Sequence, residues 1–548
     1  MANIFLIFAG ISWLAVLFVS DHYLPWVSWH SELLVFVSAC LALCAVAFRT
    51  GMRGTVELPS TISIVGLFML LVVGQALVGW LPAMGDLWVA LAYAGLFIAG
   101  LIVGSTFWDE QKTSIEARFS ATVIFASLLV GTATIFAIEA MVQSMNLWEG
   151  AYWLAGKVAM RRPGGNLSQP NHLATILMLG VAANLYLQIR RVIGFATGAV
   201  SLMPIVLGLV LTESRTGLLE LLCLSAWGLY SNKKSKAHWL HFTWVIPVTF
   251  IGYRVWPSIW ARIQMREESV TGINVTSSGR FELWGQTLEM IGSKPWLGWG
   301  FGRYSEAQHS IAPNHADVLP ATYSHNIVLD MVVWFGVPLG LFLCGVGFYW
   351  LFQQHKKRDK PENWFLIATV GTVGIHSMLE YPHAYAYFLF PVSIAIGGLS
   401  NVGPGFRSKA WVILGGAMLW GGLLTVSAFE YLQLEEDLRI ARFHSARVGN
   451  VPAGYERKQV IILTQLKDVV DVVWMIPQRG MTEADIDKAH RAASLYPWRA
   501  IISKYIEILA LNGREAESLH EMAVLRAYFG DGAEAQVLKR IQEHSDAY

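Results

Sequence analysis

The sequence predicts an all-α polytopic membrane protein with about thirteen transmembrane helices, a large outer loop and a soluble helical tail. Three observations carry that expectation. Of 548 residues, 54% are hydrophobic and only 14% charged, far from the balance of a soluble domain. Mostly apolar runs of about 20 residues, the length a helix needs to cross a hydrocarbon core, recur from the N-terminus to position 430. Beyond that position charges of both signs spread through helical periodicity.

The runs fall at residues 3–20, 31–48, 60–80, 87–107, 119–144, 171–189, 192–212, 216–230, 238–256, 326–352, 363–380, 384–400 and 410–429. The first lacks a positive leader and a cleavage site before Asp21, so it reads as a retained span. Alternate loops carry Arg49 and Arg53, Lys112 and Arg118, Arg190 and Arg191, Lys233, Lys234 and Lys236, His355 to Lys360, then Arg407 and Lys409. By the positive-inside rule that face is cytoplasmic. The opposite loops are nearly free of basic residues, with Lys157, Arg161, Arg162 and Arg215 as exceptions. The N-terminus is then inside and the C-terminus outside.

This gives four regions: helices over 1–256, an outer loop over 257–325, helices over 326–429 and an outer helical domain over 430–548. In the loop, GRFELWGQTLEMI sets Phe281, Trp284, Leu288 and Ile291 on one stripe, which predicts a helix lying on the membrane surface or capping the bundle. SKPWLGWGFGRY then reads as a turn punctuated by Pro295, Gly298, Gly300 and Gly302. The tail reads as helix, Asn-Gly turn, helix, Gly-Asp-Gly turn, helix. That pattern fits a tetratricopeptide-like array or a plain helical bundle equally, since too few units occur to establish a repeat.

The net charge of +1 and the lack of a concentrated basic face argue against a nucleic-acid partner. Cys40, Cys44, Cys223 and Cys344 lie inside apolar runs and suggest neither a disulfide framework nor a metal site. No HExxH or carboxylate trio occurs, so no metal is expected.

The polar motifs share the outer face: Gln169, Asn171 and His172 in QPNH, Glu213 to Arg215, the pair Gly279-Arg280, Ser324 to Asn326, and Glu380 to His383. Ionisable groups at span ends are functional candidates because they are costly to hold there. QPNH also reads as an ordinary helix start, with Ser168 as cap and Pro170 in the first turn. Arg215 sits in the short TESR gap with little room to escape, so it is expected to point into the bundle, with a snorkelling arginine as the alternative. Arg215 and Arg280 together suit phosphate oxygens. His325 can take a proton from an attacking hydroxyl, or simply cap the next span beside Asn326. His376 and Glu380 are one turn apart and positioned to bond each other. A lipid-linked diphosphate sugar fits two arginines and a base near headgroup level, because the leaving diphosphate needs charge stabilisation.

GNLSQPNHLA, LTESRTGLL, SGRFELW with KPWLGWGFGRY, YSHN before a span, and HSMLEYPHAYAYFLFP together resemble the bacterial O-linked oligosaccharyltransferases of the PglL type, relatives of the O-antigen ligases and Wzy polymerases. The similarity covers roughly residues 160 to 400, and QPNH is the element most specific to the protein-glycosylating branch. The tail is loosely similar to the soluble C-terminal region of these transferases, whereas the first spans match only in hydropathy. The resemblance implies a GT-C-like fold in the bacterial inner (cytoplasmic) membrane, with the site facing the periplasm. It implies transfer of a preassembled glycan from undecaprenyl diphosphate to a Ser or Thr hydroxyl of a periplasmic acceptor such as pilin. By the same resemblance Arg215 and Arg280 hold the diphosphate and His325 activates the acceptor. Gln169, Asn171, His172, Asn326, Glu380 and Tyr381 position donor or acceptor. A single in-line attack inverts the anomeric centre without nucleotide, cofactor or metal. Two other readings share parts of this pattern: ligation of O-antigen to lipid A core or Wzy-type polymerisation, and, in a different class, a membrane transporter. Transporters usually carry internal repeats and mid-bilayer polar residues, which this sequence does not show.

Overall fold

The computed structural model describes residues 1–20, 22–108, 120–145, 147, 153–154, 161–231, 240–263, 279–400, 406–446 and 448–546. Asp21, Lys112, Arg118, Lys157, Lys233, Lys234 and Lys236, which entered the orientation argument, lie outside the described residues. Among the described residues twenty α-helices account for nearly all regular structure. Seven helices are long and apolar enough to cross a membrane: α2 (Trp29–Thr50), α4 (Met84–Phe107), α5 (Ala121–Met145), α6 (Pro170–Ile189), α7 (Phe195–Thr212), α12 (Ile327–His355) and α15 (Ala410–Ser445). The other expected spans are also helical, as α1 (Ala2–Ala15), α3 (Ile62–Leu77), α8 (Arg215–Ser231), α9 (Phe242–Ile263), α13 (Pro361–Ser377) and α14 (Ala386–Leu399). The chain is a multi-pass membrane protein. Large apolar side chains such as Leu70, Met203, Phe342 and Leu419 stand exposed on these helices, as residues in contact with lipid do.

The helices form two compact units, Met1–Leu67 with Tyr93–Thr276 and Gly347–Leu424, and Phe68–Ala92 with Ser277–Val346 and Thr425–Tyr548. In the first unit α6 is the centre. It packs against α5, α7, α8 and α13, and every residue from His172 to Gln188 is buried. Its sequence is apolar on all sides rather than on one stripe, which is the pattern of a helix enclosed by others. Small residues let the neighbours close in: a Cβ on Gly180 would lie 2.3 Å from that of Ala133, and one on Gly217 2.7 Å from that of Ala174. A short antiparallel ribbon, unforeseen in the sequence, pairs β1 (Thr55–Glu57) with β2 (Arg407–Lys409) through Val56 and Ser408.

The second unit contains residues 279–325 of the expected loop and the tail. α10 (Arg280–Ser293) and α11 (Tyr304–Ile311) share a core of Met290, Tyr304, Ala307, Val333, Trp334 and Phe335. Only part of the stripe on α10 packs: Ile291 lies against this core. Phe281 and Leu288 are 72% and 62% exposed, and the buried face carries Gln286, Thr287 and Met290. The span expected as one run over 326–352 is broken at Gly336, whose φ of 78° and ψ of 166° lie outside the helical region. The broken turn frees carbonyls, and the preceding loop supplies donors: the amide of Trp299 bonds Val333 O at 2.7 Å and that of Gly300 bonds Trp334 O at 3.2 Å. A Cβ on residue 336 would lie 2.3 Å from Trp296 O, so both the conformation and the close approach require glycine here.

α15 is 36 residues long, or about 54 Å at the helical rise, and so exceeds a hydrocarbon core of about 30 Å. Its polar C-terminal part begins at Glu430, 8% exposed, whose carboxylate accepts the amides of Ile461, Ile462 and Leu463 at 2.7 to 3.1 Å. These are donors in the turn that opens α16 (Thr464–Trp474), where a negative charge suits the helix terminus. The tail continues as α17 (Glu483–Leu495), α18 (Arg499–Leu511), α19 (Glu515–Phe529) and α20 (Asp531–Asp546), each packed on its neighbours. Their core includes Val469, Ile486, Ile502, Leu509 and Leu525. The expected Asn512-Gly513 and Gly530 turns fall between α18, α19 and α20, with φ of 75° at Gly513 and 77° at Gly530.

Two predictions follow from the tail. E430A strips three amides of a charged acceptor, and with about 1.5 to 3 kcal/mol for one such bond it should open residues 461–474 to markedly faster hydrogen exchange. Lys504 on α18 donates to Val473 O, and burial pushes its ammonium from 10.5 down to about 8. Below pH 8 both folded and unfolded chains hold that proton and the fold bears the cost of burying it. Between 8 and 10.5 the unfolded chain binds more protons, so stability rises with pH. K504M should therefore slow exchange through α18 at pH 7, and wild type and variant should converge by about pH 10.

Candidate functional site

In the first unit the GGNLSQPNH stretch is held from below by a buried polar network. Gly165 takes a φ of 58°, and its amide bonds Gln143 Oε1 at 2.8 Å. The amide of Asn166 bonds Glu139 Oε2 at 2.9 Å, and its side chain donates to Leu17 O and Trp153 O at 2.6 and 2.8 Å. His22 meets Asn166 O at 2.8 Å. These bonds fix where α6 begins. The cap is not Ser168, which adopts a left-handed φ of 54° and is exposed. Gln169 is extended at φ −140° and its side chain accepts the amide of His172 at 2.8 Å, with Pro170 as first helical residue. The reason is geometric: after the left-handed turn at 168, the residue before proline is driven to extended backbone and becomes the N-cap.

From that start α6 presents Asn171 to the turns at Ser214 and Glu380, His172 to α14, and Thr175 to α8 and α13. Asn171 Nδ2 donates to Glu380 Oε1 at 3.0 Å, and its Oδ1 accepts from Ser214 Oγ at 2.7 Å. His172 Nδ1 lies 2.9 Å from the hydroxyl of Tyr387, and its ring is surrounded by Tyr385, Phe388 and His376 with centroids 4.5, 5.4 and 5.5 Å away. Tyr381 stacks on Tyr385 at 5.9 Å, and burial pushes its hydroxyl above the usual range. One turn deeper, Thr175 Oγ1 donates to Glu220 Oε1 at 2.7 Å and meets His376 Nδ1 at 2.8 Å. His376 and Glu380, expected to face each other, each take a partner from α6.

The chain thus brings together Gln169, Asn171, His172, Ser214, His376, Glu380 and Tyr381 and adds Thr175, Glu220 and Tyr387, which the motifs alone did not single out. One signal was available: Glu220 is the sole acid in an apolar run, and such residues in a span require partners.

Arg215 is placed differently from expectation. Glu213 closes α7 with a left-handed φ of 45°, so the chain reverses abruptly and Arg215 opens α8 on an exposed position rather than inside the bundle. Its neighbour Ser214, fully buried, bonds Asn171 and accepts from Tyr253 at its carbonyl. Glu213 is clamped by Arg161 through two bonds of 2.9 and 3.0 Å. Burial raises the Glu213 carboxyl, with Arg161 acting against it. Arg162 donates to Thr212 O at 3.0 Å, so Arg161 and Arg162 both fasten the turn that presents Arg215.

In the second unit Arg280 opens α10, half-buried, and Trp284 one turn on donates to Ser324 O at 2.9 Å, which sets α10 beside His325. His325 is half-buried with a φ of 60°. Ser324 takes Asp330 Oδ1 at its amide at 2.7 Å, and Asn326 Oδ1 accepts from Val328 and Leu329 at 3.0 and 3.2 Å. Asn326, not His325, is therefore the cap of α12, and the histidine is held just outside it in a conformation uncommon for residues other than glycine. Arg303, only 2% exposed, pairs with Asp86 at 3.0 Å and anchors the loop.

Three family models match the chain. Residues 163–187 match the protein glycosylation ligase model, 199–344 the O-Antigen ligase model, and 364–542 the C-terminal model of the virulence factor membrane-bound polymerases. The chain is 24% identical over 531 residues to a general O-oligosaccharyltransferase of Acinetobacter baylyi, covering 94% of this chain and 90% of the relative. It is 24% identical over 334 residues to a ComP-specific O-oligosaccharyltransferase of the same organism, covering 60% and 59%. The resemblance read from the motifs, to O-linked oligosaccharyltransferases of the PglL type within the O-antigen ligase superfamily, is borne out.

N171A removes one bond to Glu380 and one to Ser214 in a partly buried setting, a loss of about 2 kcal/mol. It should lower the apparent unfolding temperature of the detergent-solubilised protein by several degrees. Q169A, losing only a cap worth about 1 kcal/mol, should lower it less.

Proposed function

We propose that this chain transfers a preassembled glycan en bloc from a lipid-linked diphosphate donor, undecaprenyl diphosphate in the simplest reading, to Ser or Thr hydroxyls of periplasmic proteins such as pilins. The observation that carries the protein-acceptor reading is the match of residues 163–187 to the protein glycosylation ligases. The near full-length similarity to a general O-oligosaccharyltransferase supports it. About thirteen membrane crossings in the inner membrane, with the N-terminus cytoplasmic and the tail periplasmic, accord with the loop charges.

In this reading Arg215 and Arg280 bind the diphosphate. Their guanidinium forks suit its oxygens and offset the charge that grows as the glycosyl–phosphate bond breaks. His325 takes the proton of the acceptor hydroxyl as its oxygen bonds the anomeric carbon. The lipid diphosphate leaves with the bonding pair, and one displacement from the opposite face inverts that carbon. Asn171, His172, Glu380 and Tyr381 position donor or acceptor, Gln169 sets the start of the helix that carries Asn171 and His172, and Asn326 caps the helix beside the base. No nucleotide enters the step.

A second reading, ligation to lipid A core or polymerisation of repeat units, is favoured by the matches over 199–344 and 364–542. It shares the donor chemistry and differs in acceptor. Purified protein offered a lipid-linked glycan with either a pilin-type protein or core lipid A should modify the protein, and glycan found only on the lipid would sink the first reading. H325A and R280A should each lower transfer by about 100-fold or more while remaining extractable and folded. Undiminished transfer in both would remove these residues from the chemistry.

A further inference from the structure

We infer that the helical tail is a positioning device for the loop that carries Arg280 and His325, and that it acts through a buried bond between His309 and Glu521. The inference rests on the transferase reading above and assigns the tail a role within it.

α11 is the hub. An eight-residue helix is too short to be stable alone, so its order comes from contacts. On one face Tyr304, Ala307 and Ile311 join the loop core with Met290 and Val333. On another, His309 Nε2 meets Glu521 Oε2 of α19 at 2.9 Å, with His309 4% and Glu521 5% exposed. The chain that leaves α11 then enters the tail core itself. Ala312 and Val318 bury among Val469, Ile486 and Leu525, and the amide of Val318 bonds Ala527 O at 2.9 Å.

The same helix controls both candidate residues. Gln308 donates to Leu319 O at 3.0 Å and accepts from the amide of Ala321 at 2.8 Å, and Ser305 donates to Ala321 O at 3.0 Å. The segment running to Ser324 and His325 is thereby fastened to α11. Gln308 also donates to Gln286 of α10 at 3.1 Å, and Thr287 of α10 meets Tyr304 at 2.8 Å. Arg280 opens α10, so arginine and histidine inherit their placement from α11, and α11 inherits part of its own from Glu521. A bond buried on both sides with a single charged acceptor is costly to break. Displacing reacting groups by about 1 Å can cost about 100-fold in rate.

The test uses the full-length protein with a lipid-linked glycan and an acceptor protein. E521A should lower kcat about 10- to 100-fold with acceptor KM within about twofold of wild type, the signature of lost positioning rather than lost acceptor binding. E521Q, whose amide oxygen still accepts from His309, should retain most of the wild-type kcat. Hydrogen exchange should quicken at 319–325 in E521A while α18 keeps its protection. H309L, made on the loop side, carries the same test should E521A lose protection in α18. Wild-type kcat in E521A or H309L, or a loss confined to acceptor KM, overturns the inference. A wild-type protein that transfers no glycan overturns the transferase reading instead.

Discussion

The first unit depends on one constraint: α6 is enclosed along its length, yet it carries Asn171, His172, Thr175, Asn184 and Gln188. A buried polar side chain without a partner costs several kcal/mol, so each of these must be answered from another helix or from its own. Asn171 is met by Glu380 and Ser214, His172 by Tyr387, and Thr175 by Glu220 and His376. Asn184 is met by Ser201, and Gln188 by Asn184 and His241. These bonds specify which face of α7, α8, α13 and α14 turns inward and in what register, something apolar packing alone leaves open. Glycines and alanines at the contacts then let the helices come near enough for the bonds to form.

A second constraint acts at the ends of the helices. Among the described residues five besides glycine have a positive φ, and three of them, Ser168, Glu213 and His325, lie in the motif turns. Such conformations persist only where the surroundings over-determine them. At Glu213 the surroundings are the two bonds from Arg161, and at His325 they are Ser324 locked on Asp330 and Asn326 locked on α12. Each turn is tight, and each places a side chain just outside a helix where a longer loop would let it wander.

Much of this was legible in the sequence. Hydropathy located every helix in the membrane region, because burial in lipid or protein demands the same run of apolar residues. Loop chemistry located α10 and the tail turns. What stayed hidden depended on partners far along the chain. Asn171 and Glu380 are 209 residues apart, and no local pattern announces that they meet. The break at Gly336 looked like any glycine in a span, since its cause is the backbone of Trp296, Trp299 and Gly300. Ser168 looked like the cap because serine prefers that place, and Gln169 took it because a left-handed turn and a proline fixed the geometry on either side. Arg215 looked enclosed because the TESR gap is short, but a single positive φ was enough to turn it outward.

The contrast between enclosed and presented residues sorts the motifs. Asn166, Thr175, Ser214, Glu220 and His376 are buried and bonded within the fold, so folding alone accounts for their identity and their loss is felt first as instability. Arg215 is exposed, and Arg280 and His325 are only partly buried. A positive charge at the start of α8 or α10 also opposes the helix dipole, which favours anions at that end. An arginine kept where the helix itself would prefer an acid makes sense if an anion arrives there, and both the helix amides and the guanidinium then bind it. On this argument the two arginines do not serve the stability of the helices that begin with them, which accords with the role proposed for them in holding a diphosphate.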